Sequence, residues 1–158
     1  MHVVEQATII EAPIDVVRQA MNDLESIPRW ATVKGTVDNP QGQGIGRTYD
    51  WHFQVSTLNF KGKIEVIDQT ENSLTTRSIG DIDSIWTINL TALGSNSTAI
   101  RVVVEYTAPH AFIEPLADLV VQQLATPEVA GENMSRFKAI VEKQAAAVEQ
   151  DQGFLAKR

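Results

Sequence analysis

The sequence predicts an α+β fold in which one strand, two short helices, six antiparallel strands and a long C-terminal helix follow one another. Three observations carry that expectation. Apolar residues recur at helical spacing before Thr32 and again after Tyr106. Between those points the helical period vanishes and large apolar residues alternate with polar ones. Clusters rich in Gly, Pro, Asn and Asp cut this middle stretch into strand-length pieces.

The first strand runs from Val3 to Glu11, a β-branched stretch of mixed polarity, and Ala12-Pro13 closes it with a helix-start signal. Ile14, Val17 and Met21 then fall three and four residues apart, one face of a helix from Ile14 to Asn22. A second helix from Leu24 to Trp30 contains Pro28 and is limited to a turn or two. Turns follow at Asn39-Pro40-Gln41-Gly42, Gln69 to Asn72, Gly80-Asp81 and Gly94-Ser95-Asn96. The strands between them have assignable faces. Tyr49, Trp51, Phe53 and Val55 share one face, and Thr48, Asp50, His52 and Gln54 the other. The same division sets Leu58, Phe60, Ile64 and Val66 against Asn59, Lys61, Lys63 and Glu65. Trp86, Ile88 and Leu90, and Ile100, Val102, Val104 and Tyr106, complete the apolar face.

A one-sided antiparallel sheet needs a cover. Ile113, Leu116, Val120 and Leu124 form one helical stripe, and Met134, Phe137, Val141, Ala145 and Val148 a second. Thr126-Pro127-Glu128 between them has the form of an N-cap with proline at the first helical position. The stretch 151–158, with Gly153, lacks periodicity and is expected to fray. Residues 1–158 are expected to form a single domain, long enough to bury a core without disulfides or metal staples.

Composition narrows the function classes. Thirteen basic against 20 acidic residues give a net charge of −7, and the basic residues are scattered. Nucleic acid and anionic membrane surfaces both require concentrated positive charge, so neither is an expected partner. The absence of cysteine excludes disulfide scaffolds, thiol nucleophiles and Cys-ligated zinc or iron–sulfur centres. The N-terminal residues do not read as a signal peptide and no apolar run reaches the ~20 residues of a membrane span, so a cytoplasmic location is expected.

Several local motifs resemble those of one family. Ile10-Glu11-Ala12-Pro13-Ile14-Asp15-Val16-Val17, Ile27-Pro28-Arg29-Trp30, Gly44-Ile45-Gly46-Arg47-Thr48 and Asn133-Met134-Ser135-Arg136-Phe137-Lys138 before Glu142 look like the polyketide cyclase/dehydrase and lipid-transport family. That family sits within the START/Bet v 1-like superfamily, and the resemblance spans roughly Val4 to Ala147. It implies a helix-grip fold, a curved seven-stranded antiparallel sheet wrapped around the C-terminal helix with a cavity between them. Most of the motif residues suit architecture: Pro13 ends the first strand, and Gly44 and Gly46 permit a turn into a bent strand. Gly42, Gly44 and Gly46 do not make a dinucleotide loop, because Arg47 stands where glycine is required and the segment enters a strand.

Catalytic residues are sparse. His2 is terminal, His52 lies on the polar face, and only His110, just after the last strand, is placed to act as a general acid or base or, alternatively, as an exposed loop residue. No Ser-His-Asp motif, P-loop or metal-ligand spacing is present, so neither metal nor cofactor is expected. The polar groups on the predicted inner face are Tyr49, Tyr106, Thr76, Ser78 and Ser84, with Arg47 or Arg77 at strand ends. A tyrosine there either fixes a carbonyl or hydroxyl of an apolar ligand or reaches a backbone partner at the rim.

The expected ligand-binding residues are Trp30, Tyr49, Trp51, Phe53, Phe60, Trp86, Tyr106, Leu116, Val120 and Phe137, with Tyr106 and His110 as catalytic candidates. Trp30 serves either as a plug at the cavity end or as core beneath the short helices. A cavity of ~300 Å³ left empty would cost on the order of 7 kcal/mol at ~24 cal/mol per Å³, against the ~5–15 kcal/mol that a domain has in all. Such a space is expected to be filled by ligand, water or side chains. The leading expectation is a binder or carrier of a small hydrophobic molecule, acting as a monomer or homodimer. A cyclase or dehydratase using cavity Tyr, Arg or His residues is the second, and a protein-interaction module with a filled cavity the third.

Overall fold

A computed structural model of the chain describes residues 2–107 and 121–156. The elements are β1 (His2–Ile10), α1 (Ile14–Asn22), a 3-10 turn (Leu24–Ser26), α2 (Ile27–Trp30), β2 (Lys34–Gln41), β3 (Thr48–Val55), β4 (Leu58–Thr70), β5 (Ser73–Gly80), β6 (Asp83–Gly94) and β7 (Ser97–Thr107). The last is a helix, here α3 (Pro127–Ala156), preceded by a helical stretch at 121–124. The sequence stripe at Ile113, Leu116 and Val120 and the candidate His110 lie outside the described residues.

The seven strands form one antiparallel sheet in the order β1-β7-β6-β5-β4-β3-β2. Strands β2 to β7 are the meander that the turn clusters foretell. β1 closes the sheet against β7, from His2 opposite Tyr106 to Ile10 opposite Thr98. Register shifts interrupt the ladders between Asp38 and Gln41, Val66 and Asp68, and Ala92 and Gly94. Each extra residue bends its strand, which turns the apolar face into a concave one. The turn before β3 depends on glycine conformation: Gly42, Gly44 and Gly46 have φ of 77°, 63° and 94°. That geometry brings the Gly46 N–H to the Val66 carbonyl at 2.8 Å.

Hydrogen bonds fix the helices to this concave face. Pro13 sits at the N-cap of α1, one position ahead of the first helical residue. Buried Thr98 donates through Oγ1 to the Ala12 carbonyl at 2.8 Å, holding the elbow between β1 and α1. Arg18 of α1 reaches the β4–β5 turn, donating to the Glu71 carbonyl at 2.6 Å and to Asn72 Oδ1 at 2.9 Å. Thr126 caps α3 as its sequence indicates, its Oγ1 accepting from the Val129 N–H at 3.2 Å. Lys138 donates to the Ile9 carbonyl on β1 at 3.0 Å and pairs with Glu142. Asn133 Oδ1 accepts from the Thr32 N–H at 2.8 Å. These motif residues are therefore tethers. Helix α3 continues to Ala156, through the stretch expected to fray, because one glycine costs a helix only about 1 kcal/mol.

Candidate functional site

The concave side is filled unevenly. Ile10, Val17, Val66, Leu74, Leu90 and Val141 are buried in a continuous core around the α1 elbow. Toward the 3-10 turn and α2 the sheet and α3 diverge, leaving a cavity of about 190 Å³. Left empty, that volume would cost on the order of 5 kcal/mol at ~24 cal/mol per Å³, a large share of a domain's stability.

Seven of the residues named from sequence meet around this space: Trp30, Trp51, Phe53, Phe60, Trp86, Tyr106 and Phe137. They form two walls. On one, α3, α2, β6 and β7 contribute a chain of ring contacts. Trp30 lies edge-on to Phe137 (centroids 5.9 Å apart, 82°) and tilted against Trp86 (6.3 Å, 57°), and Trp86 meets Tyr106 edge-on (6.5 Å, 79°). Trp30 is thus wall and packing at once, half-buried between helix and sheet.

On the other wall Trp51 and Phe53 stack within β3 at 5.8 Å. Glycines make room for both rings. A Cβ at Gly62, opposite Trp51 on β4, would stand 2.6 Å from the indole, and one at Gly35 on β2 would stand 2.3 Å from the Phe53 ring. The two indoles treat their N–H groups differently. Trp86 Nε1 donates to Ser84 Oγ at 3.2 Å, whereas the buried Trp51 Nε1 has no hydrogen-bond partner among the described residues.

Tyr49 does not join the cavity. It is buried, but its hydroxyl accepts from Arg47 Nε at 3.2 Å. Arg47 also donates to the Gly44 carbonyl at 3.0 Å and Gln69 Oε1 at 2.6 Å, which draws this pair to the strand end. Arg77 is exposed and lies 4.0 Å from Glu65, off the inner face. Neither arginine faces the cavity, in keeping with the strand-end placement expected of Arg47. A strand end offers water and polar partners that the cavity lacks. Leu116 and Val120, expected as ligand-binding residues, and His110, the catalytic candidate, lie outside the described residues.

The polar equipment of the cavity is small. Thr32, Thr76, Ser78, Ser84 and Tyr106 bring hydroxyls to it, Gln6 and Asn133 bring amides already bonded to the Pro127 carbonyl and the Thr32 N–H, Asp23 is the one carboxylate, and no lysine, arginine or histidine borders it among the described residues. Burial pushes the Tyr106 phenol well above its ordinary value, so it is neutral across the physiological range. Among the described residues no three His, Cys, Asp or Glu side chains cluster to hold a metal ion. Sequence reasoning missed Met21, Leu24, Ile27 and Met134 as wall residues. Their helical spacing was visible, but it reads equally as core packing.

The fold finds its counterpart in known proteins. Residues 1–142 match the family described as polyketide cyclase / dehydrase and lipid transport, and the chain belongs to that family. No curated protein matches it by sequence. Among solved structures, a START superfamily protein from Mycobacterium smegmatis superposes with a TM-score of 0.64 at 16% identity, covering 94% of this chain and 99% of that one. Zhui aromatase/cyclase from Streptomyces sp. R1128 gives 0.68 at 11% identity, with 90% and 94% covered. Norcoclaurine synthase from Thalictrum flavum, solved with dopamine and hydroxybenzaldehyde, gives 0.60 at 17%, with 89% and 86% covered. At these identities the likeness establishes the fold, the helix-grip architecture of the START/Bet v 1 superfamily. No helix among the described residues is long and apolar enough to cross a membrane.

Proposed function

We propose that the protein binds a small, largely apolar and uncharged molecule in the cavity between its sheet and α3, and acts as a carrier or receptor for it. The observation that carries this reading is the lining: aromatic and aliphatic side chains from sheet and helices surround about 190 Å³ with no basic group among the described residues. The volume falls below the ~300–1,000 Å³ usual for drug-sized ligands, which points to a small molecule or one segment of a longer one. A cavity of this size also argues against the protein-interaction reading, which requires a filled interior.

Native mass spectrometry of gently purified protein, combined with titration by a neutral naphthalene fluorophore, tests the proposal. One ligand per chain and displacement of the fluorophore by apolar molecules are expected. No adduct and no fluorophore binding would overturn it. The family description and the Tyr106 hydroxyl in the cavity favour one second reading, a cyclase or dehydratase. Under that reading Tyr106→Phe abolishes turnover of a bound poly-carbonyl substrate while leaving its binding intact.

A further inference from the structure

One row of the sheet brings three hydroxyls side by side at the cavity. Ser78 on β5 stands directly opposite Ser84 on β6, and Ser84 directly opposite Tyr106 on β7. All three border the cavity, so three hydroxyl-bearing side chains cross three strands in one line. Residues directly opposed in an antiparallel pair have Cβ atoms only about 4.5–5.5 Å apart. Neither Ser78 nor Tyr106 makes a side-chain hydrogen bond among the described residues, and Ser84 makes one, as acceptor from Trp86 Nε1.

That one bond gives the row a direction. A serine hydroxyl carries one hydrogen and two lone pairs, and the indole occupies one of the lone pairs. Trp86 itself is held between Trp30 and Tyr106, so its N–H is fixed in place. Ser84 is left with its hydrogen and a single acceptor site facing the cavity. Tyr106, kept neutral by its burial, also has a hydrogen to offer. The row is therefore biased toward donation. A carboxylate would find no cation on the described wall, and an unpaired buried charge is costly, so the complementary ligand group is a neutral acceptor.

Resting on the cavity-binding reading above, we infer that the Ser78–Ser84–Tyr106 row is a specificity subsite for a neutral acceptor oxygen, such as a ketone or ester carbonyl, on an otherwise apolar ligand. Ser84 and Tyr106 supply the donors, and Trp86 is the positioning residue that turns the Ser84 hydroxyl toward the ligand. The remaining aromatic and aliphatic lining takes the hydrocarbon part.

The test compares three probes of one shape, 2-acetylnaphthalene, 2-ethylnaphthalene and 2-naphthoate, by calorimetry or fluorescence titration of the full chain. The ketone is expected to bind about tenfold more tightly than the ethyl compound, as one to two net hydrogen bonds imply, and the carboxylate most weakly. Ser84→Ala and Tyr106→Phe should each bring the affinities of ketone and ethyl compound closer together, mainly by weakening the ketone. The infrared carbonyl stretch of the bound ketone should sit lower in the wild type than in Ser84→Ala, and Trp86→Phe should broaden it. A merely structural role for Ser84 would not move that band. Equal binding of ketone and ethyl compound, or an unshifted carbonyl band, overturns the subsite and leaves the cavity reading standing. Failure of all three probes to bind overturns both.

Discussion

The two ends of the concave face are built from the same kinds of residue and do different work. At the α1 elbow Ile10, Val17, Leu74 and Val141 are fully buried in close-packed contact. At the α2 end equally apolar residues line a cavity instead. Helix α3 takes part in both: Val141 closes the solid end, and Phe137, four residues or about 6 Å earlier along the axis, borders the hollow one. The contrast shows that burial of an apolar residue and its contribution to stability are separable here. At the solid end an inward side chain meets other side chains, and at the hollow end it meets space reserved for something else.

The largest effect is expected where that contrast is broken from the solid side. Leu74→Ala removes a fully buried side chain and should cost about 2–5 kcal/mol by thermal or urea unfolding. It should leave naphthalene-probe affinity within a factor of about two, since Leu74 does not border the cavity. Trp30→Ala reverses the pattern. It loses two ring contacts of a half-buried residue, about 1–3 kcal/mol beyond the lost burial, and should weaken probe binding severalfold. Equal binding losses in the two variants would erase the distinction between the ends.

A second expectation concerns the Trp51 wall. Gly62→Ala places a Cβ 2.6 Å from the indole and 2.4 Å from the Ile79 carbonyl, so about 1–3 kcal/mol of destabilisation is expected. Part of that clash disappears when Trp51 is shortened. A double-mutant cycle with Trp51→Ala should therefore show coupling of about 1 kcal/mol or more, and strict additivity would mean that the glycine serves the backbone alone.

The smallest effect is a pH dependence at the other wall. The Tyr106 phenol titrates above its ordinary 10.0 in the folded protein. Above that pH the unfolded chain releases a proton that the folded one retains, so the folded state loses stability as pH rises. The contribution is intact below pH ~10, and the stability of wild type relative to Tyr106→Phe should fall as pH rises from about 10 to 11 and beyond. A constant difference over that range would place the phenol in contact with water.

Much of the architecture was legible beforehand. The strand faces held from Trp51 through Tyr106, and the Thr126-Pro127 start of α3 held at its capping bond. Tyr49 shows where legibility ended. Its alternation is identical to that of Trp51, yet its hydroxyl is drawn to Arg47 at the strand end, a partner that a period-2 pattern does not reveal. The pairing of β1 with β7 was equally hidden, because it joins residues nearly a hundred positions apart.

The sequence by itself determined the order of elements, the inward face of each strand and the chemical poverty of the interior, because periods of 2 and 3.6 residues and turn residues act locally. Only the tertiary structure decided which inward residues are core and which are wall. That division depends on how far the sheet bends away from α3. The bend arises from bulges, from Gly62 and Gly80 meeting across β4 and β5, and from rings seated on glycines of neighbouring strands. Each of these is a contact between distant parts of the chain, and none leaves a trace in local periodicity.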